Sequence, residues 1–349
     1  MRLFAMSIIF LIAVVLYAGS SIAGGTVINA VGDIMLAGSG VPVYREKGFG
    51  YPFAATAAEL RSGDITIGNL EAPIARGGRE FTGKRFRFRI EPQAAPALRN
   101  AGFNIVTLAN NHMMDFGASA MEGTLENLRR AGIAFTGAGE TLAAARKAAI
   151  ITIRGVRVAF LAYSLTFPRE FYASSTAPGT APGFPKYYRD DIAAARKAAD
   201  YVVISFHWGS ELKSDPAPYQ ITAAHRAIDA GADVVLGHHP HVLQGIEGYK
   251  RGIIFYSLGD FAFGSCSGSS RQGVIARITL ENGVKGIELI PLNVLNREVR
   301  FQPKPLSGTR GEEVVDDLVR ISRRWGTMIP VADGRFIVEQ RIGGILAKR

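Results

Sequence analysis

The chain has 349 residues, of which 48% are hydrophobic and 20% are charged. This composition is that of an ordinary globular protein and excludes the disordered and fibrous classes. The formal net charge of +10 favours encounter with anionic partners such as phosphates, anionic polymers or acidic membrane surfaces.

The N-terminal 23 residues have the pattern of a secretory signal peptide. Arg2 precedes an apolar run over residues 3–18, and Ser21 and Ala23 supply the small side chains of a cleavage site after residue 23. The alternative is an uncleaved membrane anchor formed by the same apolar run. Both interpretations predict that residues 24–349 lie outside the cytoplasmic membrane, in a periplasmic or other extracytoplasmic space.

Short apolar runs rich in Val, Ile and Phe predict strands that are buried on both faces. They cover residues 27–36, 64–71, 104–112, 157–164, 201–209, 233–241 and 252–261. Alanine-rich segments between several of them predict helices at 94–102, 119–132, 141–149, 190–199 and 221–231. Three of these helices end in Ala-Gly, where glycine closes the last turn in the left-handed conformation. The repeated order of helix, Ala-Gly and strand predicts a layered α/β architecture.

The C-terminal part of the chain has a different pattern. Residues 273–295 predict a β-hairpin with its turn at Asn282-Gly283. An amphipathic helix over residues 312–326 and a strand over 334–342 follow. We interpret residues 24–349 as one domain, on which residues 300–349 form a C-terminal extension.

Six of the predicted strands finish in side chains that can bind a metal ion or move a proton. In chain order these are Asp33, Asn69, Glu71, Asn111, His112, His207, His238, His239, His241 and Asp260. In α/β folds, ligands bind in the crevice at the carboxyl ends of the strands. Carboxylates, amide oxygens and imidazoles together suit a divalent ion such as Mn, Fe or Zn. The absence of cysteine ligands argues against a structural zinc site.

Six motifs occur together in an order and spacing that resemble a known family. They are GDIML (32–36), GNLEAPI (68–74), TLANNHMMDFG (107–117), SFHWGSE (205–211), GHHPH (237–241) and YSLGDF (256–261). Over about residues 26–330 the chain is similar to the CapA/PgsA proteins, which are associated with poly-γ-glutamate capsule synthesis. These proteins look like a branch of the calcineurin-like metallophosphoesterases. The resemblance implies a four-layer α/β/β/α sandwich of the metallo-dependent phosphatase type, with a centre for two divalent metal ions.

The resemblance also implies roles for individual residues. The implied metal ligands are Asp33, Glu71, Asn111, His207, His239 and His241. Glu71 lies near the position of the bridging carboxylate, and Asn69 is its competitor for that role. His112 matches the histidine that protonates the leaving group.

The chain departs from the phosphoesterase pattern in its first motif, where Asp-x-His is usual and Met35 replaces the histidine. A thioether is a poor ligand for a hard divalent ion. Either His238 substitutes for the missing imidazole, or the site holds a single ion. Asp260 stands where the family more often has Asn, and this difference either adds charge to the site or has no consequence. Glu211 is either a residue that orients a ligand or a solvated loop acid.

Within residues 83–92, arginines alternate with apolar side chains. At this spacing Arg85, Arg87 and Arg89 share one face of an extended segment. One interpretation is an anion-binding row near the metal centre, because guanidinium groups pair well with carboxylates and phosphates. The alternative is an edge strand that its charges keep soluble.

Two other polar residues are interpreted as structural. His225 lies in the middle of a predicted helix, where a packing or surface role is expected. Asp115 precedes another predicted helix and is expected to cap it.

Two functional hypotheses follow. The first is an extracytoplasmic metal-dependent hydrolase in capsule or poly-γ-glutamate biosynthesis or export, in which metal-activated water cleaves a phosphoester or polymer amide and His112 donates a proton. The alternative is a non-catalytic subunit that binds metal or polymer in a membrane complex for capsule synthesis or export. The expected partners are an anionic polymer or phosphoester substrate and membrane capsule-synthesis proteins. Nucleic acid is not expected, because the signal segment directs the chain out of the cytoplasm.

Overall fold

A computed structural model describes residues 25–265, 268–339, 341–342 and 345–346. The predicted signal segment, residues 1–23, lies outside the described residues. Among the helices that are described, none combines the length and the apolar character that crossing a membrane requires.

The strands and helices alternate along most of the chain. The strands are β1 Thr26–Met35, β2 Ile65–Leu70, β3 Ile105–Thr107, β4 Ala134–Thr136, β5 Ala138–Gly139, β6 Ala149–Ile153, β7 Val156–Ser164, β8 Gly179–Thr180, β9 Tyr201–His207, β10 Val234–His238, β11 Ile246–Tyr249, β12 Gly252–Phe255, β13 Asp260–Phe263, β14 Gln272–Leu280, β15 Val284–Asn293, β16 Lys304–Pro305, β17 Val331–Ala332, β18 Arg335–Ile337, β19 Arg341–Ile342 and β20 Ile345–Leu346. The α-helices are α1 Val41–Lys47, α2 Ala57–Arg61, α3 Ala94–Ala101, α4 Gly117–Arg130, α5 Leu142–Ala145, α6 Pro185–Ala198, α7 Pro218–Ala230, α8 Asn296–Val299 and α9 Gly308–Ser322.

Two large sheets form the centre of the fold. The first has the strand order β17-β18-β15-β14-β1-β2-β3-β4, with β13 paired to β1 and β16 paired to β15. The second has the order β11-β12-β10-β9-β7-β6. Strands β13, β1, β2, β3 and β4 are parallel to one another, as are β12, β10, β9 and β7. The carboxyl ends of several parallel strands therefore lie together at one end of each sheet.

Side-chain alternation along the strands separates three apolar cores. In β9, Val203 belongs to the core between the two sheets, whereas Ile204 packs with residues of α6 and α7. In the first sheet, Ile67 lies in the same central core, and Val106 packs with residues of α3 and α4. Because successive strand residues point to opposite faces, each sheet buries both faces. Three cores between helix, sheet, sheet and helix make the α/β/β/α sandwich that the resemblance implied.

Most predicted elements are confirmed, including the three Ala-Gly helix ends. Gly102, Gly132 and Gly231 have φ angles of 117°, 70° and 119°, which are left-handed. The predicted helix over 141–149 is wrong at its C-terminal end, where Ala149–Ile153 forms edge strand β6. Its residues are alternately half-buried and exposed and pair with β7, and this pairing overrides the helical propensity of the alanines.

The predicted strand over residues 252–261 is two strands that belong to different sheets. β12 lies in the second sheet and β13 in the first, so the chain crosses between the sheets over residues 256–259. This crossing places the end of the segment beside β1. The predicted strand over 334–342 is also divided, into β18 and β19.

The described residues from 300 onwards extend the existing layers. β16, β17 and β18 add strands to the first sheet beside β15. Val314 and Leu318 of α9 are buried in the core between the sheets. This part of the chain therefore closes one open side of the sandwich.

Candidate metal centre

Two rows of polar side chains lie across the carboxyl ends of the two sheets. Strand pairing in the first sheet sets side by side Asp260, Asp33, Asn69 and Thr107. Strand pairing in the second sheet sets side by side His238, His207 and Ser164. The alternation that buries Ile67 and Val203 between the sheets directs both rows to the same interior. The core between the sheets therefore becomes polar where the strands end.

Three groups of three side chains bring possible ligand atoms within 4.8 Å of one another. The groups are Glu71, His207 and His239; Asp33, Glu71 and His241; and Glu211, His239 and His241. Glu71 belongs to the first two groups, which are almost wholly buried, and so can bridge two ions. Glu211 is exposed and approaches the same histidines from the loop after β9.

Asn111 joins the first group through His207. The Nε2 atom of His207 is 2.9 Å from Oδ1 of Asn111 and 3.5 Å from Oε1 of Glu71. An imidazole nitrogen, an amide oxygen and a carboxylate oxygen thus converge, and these are ligand types that a borderline divalent ion accepts.

Asn69, the competitor of Glu71 for the bridging role, acts instead as a hydrogen-bond donor. Its Nδ2 atom donates to Oδ1 of Asp33 at 2.8 Å and lies 3.4 Å from Oε2 of Glu71. Asn110 in turn donates to Oδ1 of Asn69 at 3.1 Å. The two amides hold both carboxylates in place beside the ligand groups.

Asp260 and Ser270 orient His241. Nδ1 of His241 is 2.8 Å from Oδ1 of Asp260, and the Ser270 hydroxyl lies 2.5 Å from the other carboxylate oxygen. This contact leaves Nε2 of His241 directed towards Glu71, whose Oε1 is 3.8 Å away. A carboxylate partner of this kind fixes the orientation of a metal-binding imidazole.

The backbone of the His-Pro-His segment is strained. His239 and His241 have φ angles of 95° and 57°, a left-handed region that side-chain-bearing residues rarely adopt. Such conformations persist where the surrounding structure imposes them, and they are concentrated at functional sites. In this backbone conformation both imidazoles face the ligand groups between the two sheets.

Burial and the close packing of acids and imidazoles shift the pKa values at this centre in both directions. Burial raises the pKa of Glu71 well above its usual value, and the charge of Asp33 adds to this effect. Burial also opposes ionisation of Asp33, but hydrogen bonds from His238 and His241 hold its pKa well below the usual value. Burial lowers the pKa of His239 to about 3, and the pKa of His207 is also well below its usual value. His207 and His239 are therefore neutral, the form of imidazole that binds a metal ion. Although burial opposes it, the charges of Asp260 and Glu71 raise the pKa of His241 well above its usual value.

Several buried polar atoms at this centre have no hydrogen-bond partner among the described residues. They include Oε1 of Glu71, Nε2 of His238 and Nδ1 of His239. An unpaired buried polar atom costs free energy, and a divalent cation would satisfy carboxylate and imidazole atoms together. The side chains present therefore fit one or two divalent ions.

Met35 and His238 bear on the number of ions. The Met35 side chain is fully buried in the core between the first sheet and its helices. His238 is 3.2 Å from Asp33 but, among the described residues, belongs to none of the three ligand groups. Neither residue supplies the imidazole that is missing from the first motif.

His112 lies in the loop between β3 and α4 and is held by a buried carboxylate. Its Nδ1 atom is 2.6 Å from Oδ2 of Asp115, and Lys84 donates to the other oxygen at 2.7 Å. The backbone N–H of Phe88 also donates to Asp115. The prediction that Asp115 caps the next helix is therefore wrong. α4 begins after Phe116, and the carboxylate turns inwards, where buried charges require partners.

A cavity of about 310 Å³ opens over this centre. His112, His241, Asp260 and Glu211 contribute its polar lining. Its apolar lining includes Phe86, Phe88, Leu212 and Phe263. A substrate would enter between aromatic walls to reach the histidines.

The predicted arginine row does not form as one face, because residues 83–89 make a loop and not a strand. Phe86 and Phe88 line the cavity instead. Arg87 pairs with Glu80 at 2.6 Å, and Arg85 stacks on the Phe86 ring. Arg89 lies 4.5 Å from the centre of the Phe116 ring. Packing of the aromatic side chains beside His112 decides this orientation.

His225, which was expected to be structural, stacks on Tyr249 with ring centres 3.8 Å apart and contacts Glu247. Four residues of the centre were not predicted as part of it: Lys84, Asn110, Asp115 and Ser270. The doubled asparagine before His112 and the Asp three residues after it were available signals. No sequence signal pointed to Lys84 or Ser270, because their partners are distant in sequence.

The α/β/β/α fold is of the metallophosphoesterase type. The NAD nucleotidase NadN of Haemophilus influenzae shares the fold, with a TM-score of 0.50 and 13% sequence identity over 84% of this chain and 62% of that chain.

The family of the bacterial capsule synthesis protein PGA_cap matches residues 27–265, and the chain belongs to this family. The capsule biosynthesis protein CapA of Bacillus anthracis is 33% identical over 285 residues, which are 79% of this chain and 68% of that protein. The PGA biosynthesis protein CapA of Bacillus subtilis is 33% identical over 295 residues, 84% of this chain and 77% of that protein. A probable polyglutamine synthesis accessory protein of Mycobacterium tuberculosis is 31% identical over 293 residues, 79% of this chain and 77% of that protein. The predicted family is confirmed.

Proposed function

We propose that the protein is a metal-dependent hydrolase of capsule biosynthesis or export that cleaves a phosphoester or an amide of an anionic polymer such as poly-γ-glutamate. The observation that carries this proposal is that two buried ligand groups share Glu71 beside an oriented histidine, His112. The names of the relatives, which refer to capsule and PGA biosynthesis, support the choice of polymer.

The residues that would hold one or two Mn, Fe or Zn ions are Asp33, Glu71, Asn111, His207, His239 and His241. A bound ion would lower the pKa of a water molecule and neutralise charge on the substrate. Asn69 and Asp260 keep the carboxylates and His241 oriented for this role. Their contacts are made before substrate binds, so the site is preorganised.

His112 would move the proton to the leaving group. Asp115 accepts from Nδ1 and stabilises the charged imidazolium, which leaves Nε2 as the atom that donates. Lys84 balances the charge of Asp115 and holds it in place. Phe88 packs against the His112 ring, with ring centres 4.8 Å apart, and restricts water around it.

We also propose that this chemistry takes place outside the cytoplasmic membrane. The apolar run over residues 3–18 after Arg2 supports export, either with cleavage after residue 23 or with retention as an anchor. Cell fractionation, together with the N-terminal sequence of the mature protein, tests this. Protein recovered only from the cytoplasm would contradict it.

A second candidate function is a non-catalytic subunit that binds metal or polymer in a membrane complex for capsule synthesis or export. The burial of Met35 away from the ligand groups favours it, because the first motif then lacks an imidazole. In this case the centre would retain its ion without turnover.

The test measures metal per chain and hydrolysis of bis-p-nitrophenyl phosphate and of γ-linked polyglutamate. His239→Ala should lose metal and turnover, whereas His112→Ala should keep metal and lose turnover by about a hundredfold or more. His225→Ala is the matched control, since His225 lies outside the centre, and should behave as wild type. If wild type binds metal but hydrolyses neither substrate, and His112→Ala fully supports capsule formation in cells, the non-catalytic function replaces the first proposal.

A further inference from the structure

A second cavity, of about 360 Å³, is lined by sequence neighbours of residues that line the cavity over the metal centre. The same two segments line both. Gly38, Ser39, Phe86 and Phe88 line the cavity over the metal centre. Leu36, Val41, Arg89 and Ile90 line the second one. Residues 36–41 and 86–90 therefore form a common wall between the two.

Arginines dominate the charge of this second cavity. Arg45, Arg76 and Arg89 line it, and Glu91 is the one acidic residue of its lining. Arg45 pairs with Glu91 at 2.6 Å and lies one helical turn after Val41, so both face the cavity. The Ala75 N–H donates to the Ile90 carbonyl oxygen, which keeps the neighbouring arginines close together.

Two of these guanidinium groups retain their hydrogen-bonding capacity. Arg76 is exposed and makes no hydrogen bond or ion pair with any residue that the structure describes. Arg89 rests on the Phe116 ring, a contact that holds the guanidinium plane but leaves its N–H groups available. Fixed guanidinium groups with free donors suit carboxylates, which they bind through two parallel hydrogen bonds.

The metal centre itself has the opposite character. Asp33, Glu71, Asp260 and Glu211 bring four carboxyl groups to it, which offset the charge of a bound ion, so the centre by itself attracts a polycarboxylate only weakly. An anionic chain requires positive charge beside the centre to remain bound, and the second cavity supplies it.

We propose that the cavity formed by Arg45, Arg76 and Arg89 is a subsite for the carboxylates of an extended anionic polymer whose scissile bond lies in the adjoining cavity. The inference rests on the proposed function and names its substrate class as a polycarboxylate. A single exposed ion pair contributes little. A chain with a carboxylate on every unit engages several guanidinium groups at once, so its affinity rises with chain length and falls with salt.

The test is equilibrium binding of fluorescently labelled γ-linked glutamate chains to the full chain carrying its metal. Wild type should bind a chain of ten residues much more tightly than a dipeptide. Arg76→Gln/Arg89→Gln should weaken binding of the long chain by about tenfold and leave the dipeptide unchanged. The control is Arg99→Gln with Arg226→Gln, which removes two charges from arginines outside both cavities and should bind as wild type.

Metal content and hydrolysis of bis-p-nitrophenyl phosphate are measured on the same variants. The arginine double variant should keep both, because it leaves the metal centre intact. A loss of long-chain binding with unchanged metal content supports the subsite even if wild type proves to have no hydrolytic activity. Equal weakening by the control variant, or unchanged binding by Arg76→Gln/Arg89→Gln, would overturn the proposal.

Discussion

The buried ion pair between Lys84 and Asp115 offers a sharp test of how the centre is supported. The Asp115 side chain is fully buried and the Lys84 side chain is 15% exposed, with 2.7 Å between the charged atoms. Asp115→Asn keeps the shape but removes the negative charge, and it sets an NH₂ group against donors from Lys84 or Phe88. Removal of one partner leaves a buried cation without its counter-charge.

We expect Asp115→Asn to lower the free energy of unfolding by about 3 kcal/mol. This value is at the lower end of the range for broken buried ion pairs, because Lys84 keeps its contact with the Asn111 carbonyl oxygen. For a chain of this length that corresponds to a fall of roughly 4 °C in the midpoint of thermal unfolding. Urea unfolding followed by circular dichroism measures the change. Glu126→Gln, which breaks the exposed pair with Arg130, is the control and should cost less than about 0.5 kcal/mol.

The double variant Lys84→Met/Asp115→Asn separates stability from chemistry. It contains no unpaired buried charge, so its stability should return to within about 1 kcal/mol of wild type. Any hydrolytic turnover should stay low, because His112 still lacks the carboxylate that orients it. If Asp115→Asn unfolds at the same urea concentration as wild type, or the double variant is as unstable as the single one, the account of this network is refuted.

Three further predictions follow from other parts of the structure. In Gly237→Ala the new Cβ would lie 1.9 Å from the carbonyl oxygen of Tyr256. We therefore expect the free energy of unfolding, measured in urea, to fall by about 3 kcal/mol. Gly286→Ala is the control and should be nearly neutral, because its new Cβ would meet no atom within 4 Å. Although burial opposes it, hydrogen bonds from Arg154 lower the pKa of Asp64, so this pair stabilises the fold at neutral pH and its contribution disappears as the pH falls through that pKa. Asp64→Asn should therefore destabilise the protein at pH 7 and show a smaller deficit at pH 3, and an equal deficit at both would be inconsistent with this linkage. Metal removal by a chelator should lower the free energy of unfolding by about 2.7 kcal/mol, if the ion is initially present at a hundred times its dissociation constant. Calorimetry measures this effect, which added Mn or Zn should reverse and which His239→Ala should not show.

The choice of residues at the strand ends already indicated the centre. Carboxylate, amide and imidazole groups follow six apolar runs, and parallel strands in α/β folds bring such ends together. The alternation of Val203, Ser205 and His207 on one strand face was also available in the sequence. These are local patterns of period two, so they can be recognised without knowing which strands pair.

Roles that depend on contacts between distant segments could not be obtained in this way. The helix-capping role predicted for Asp115 was wrong because its partners, Lys84 and Phe88, come from another loop. The alternation over 85–89 predicted an extended segment, whereas these residues form a loop in which Phe88 packs beside His112.

The sequence by itself therefore determined the α/β class, the family and the kinds of ligand at the strand ends, because each is written in short-range periodicity and motifs. Only the tertiary structure decided which side chains meet. It places Glu71 in two ligand groups, turns Asn69 into a donor and carries the chain across from the second sheet so that Asp260 reaches His241. It also brings Arg45, Arg76 and Arg89 from separate segments to one cavity. These contacts depend on strand order and on packing between layers, which are properties of the whole chain and not of any one segment.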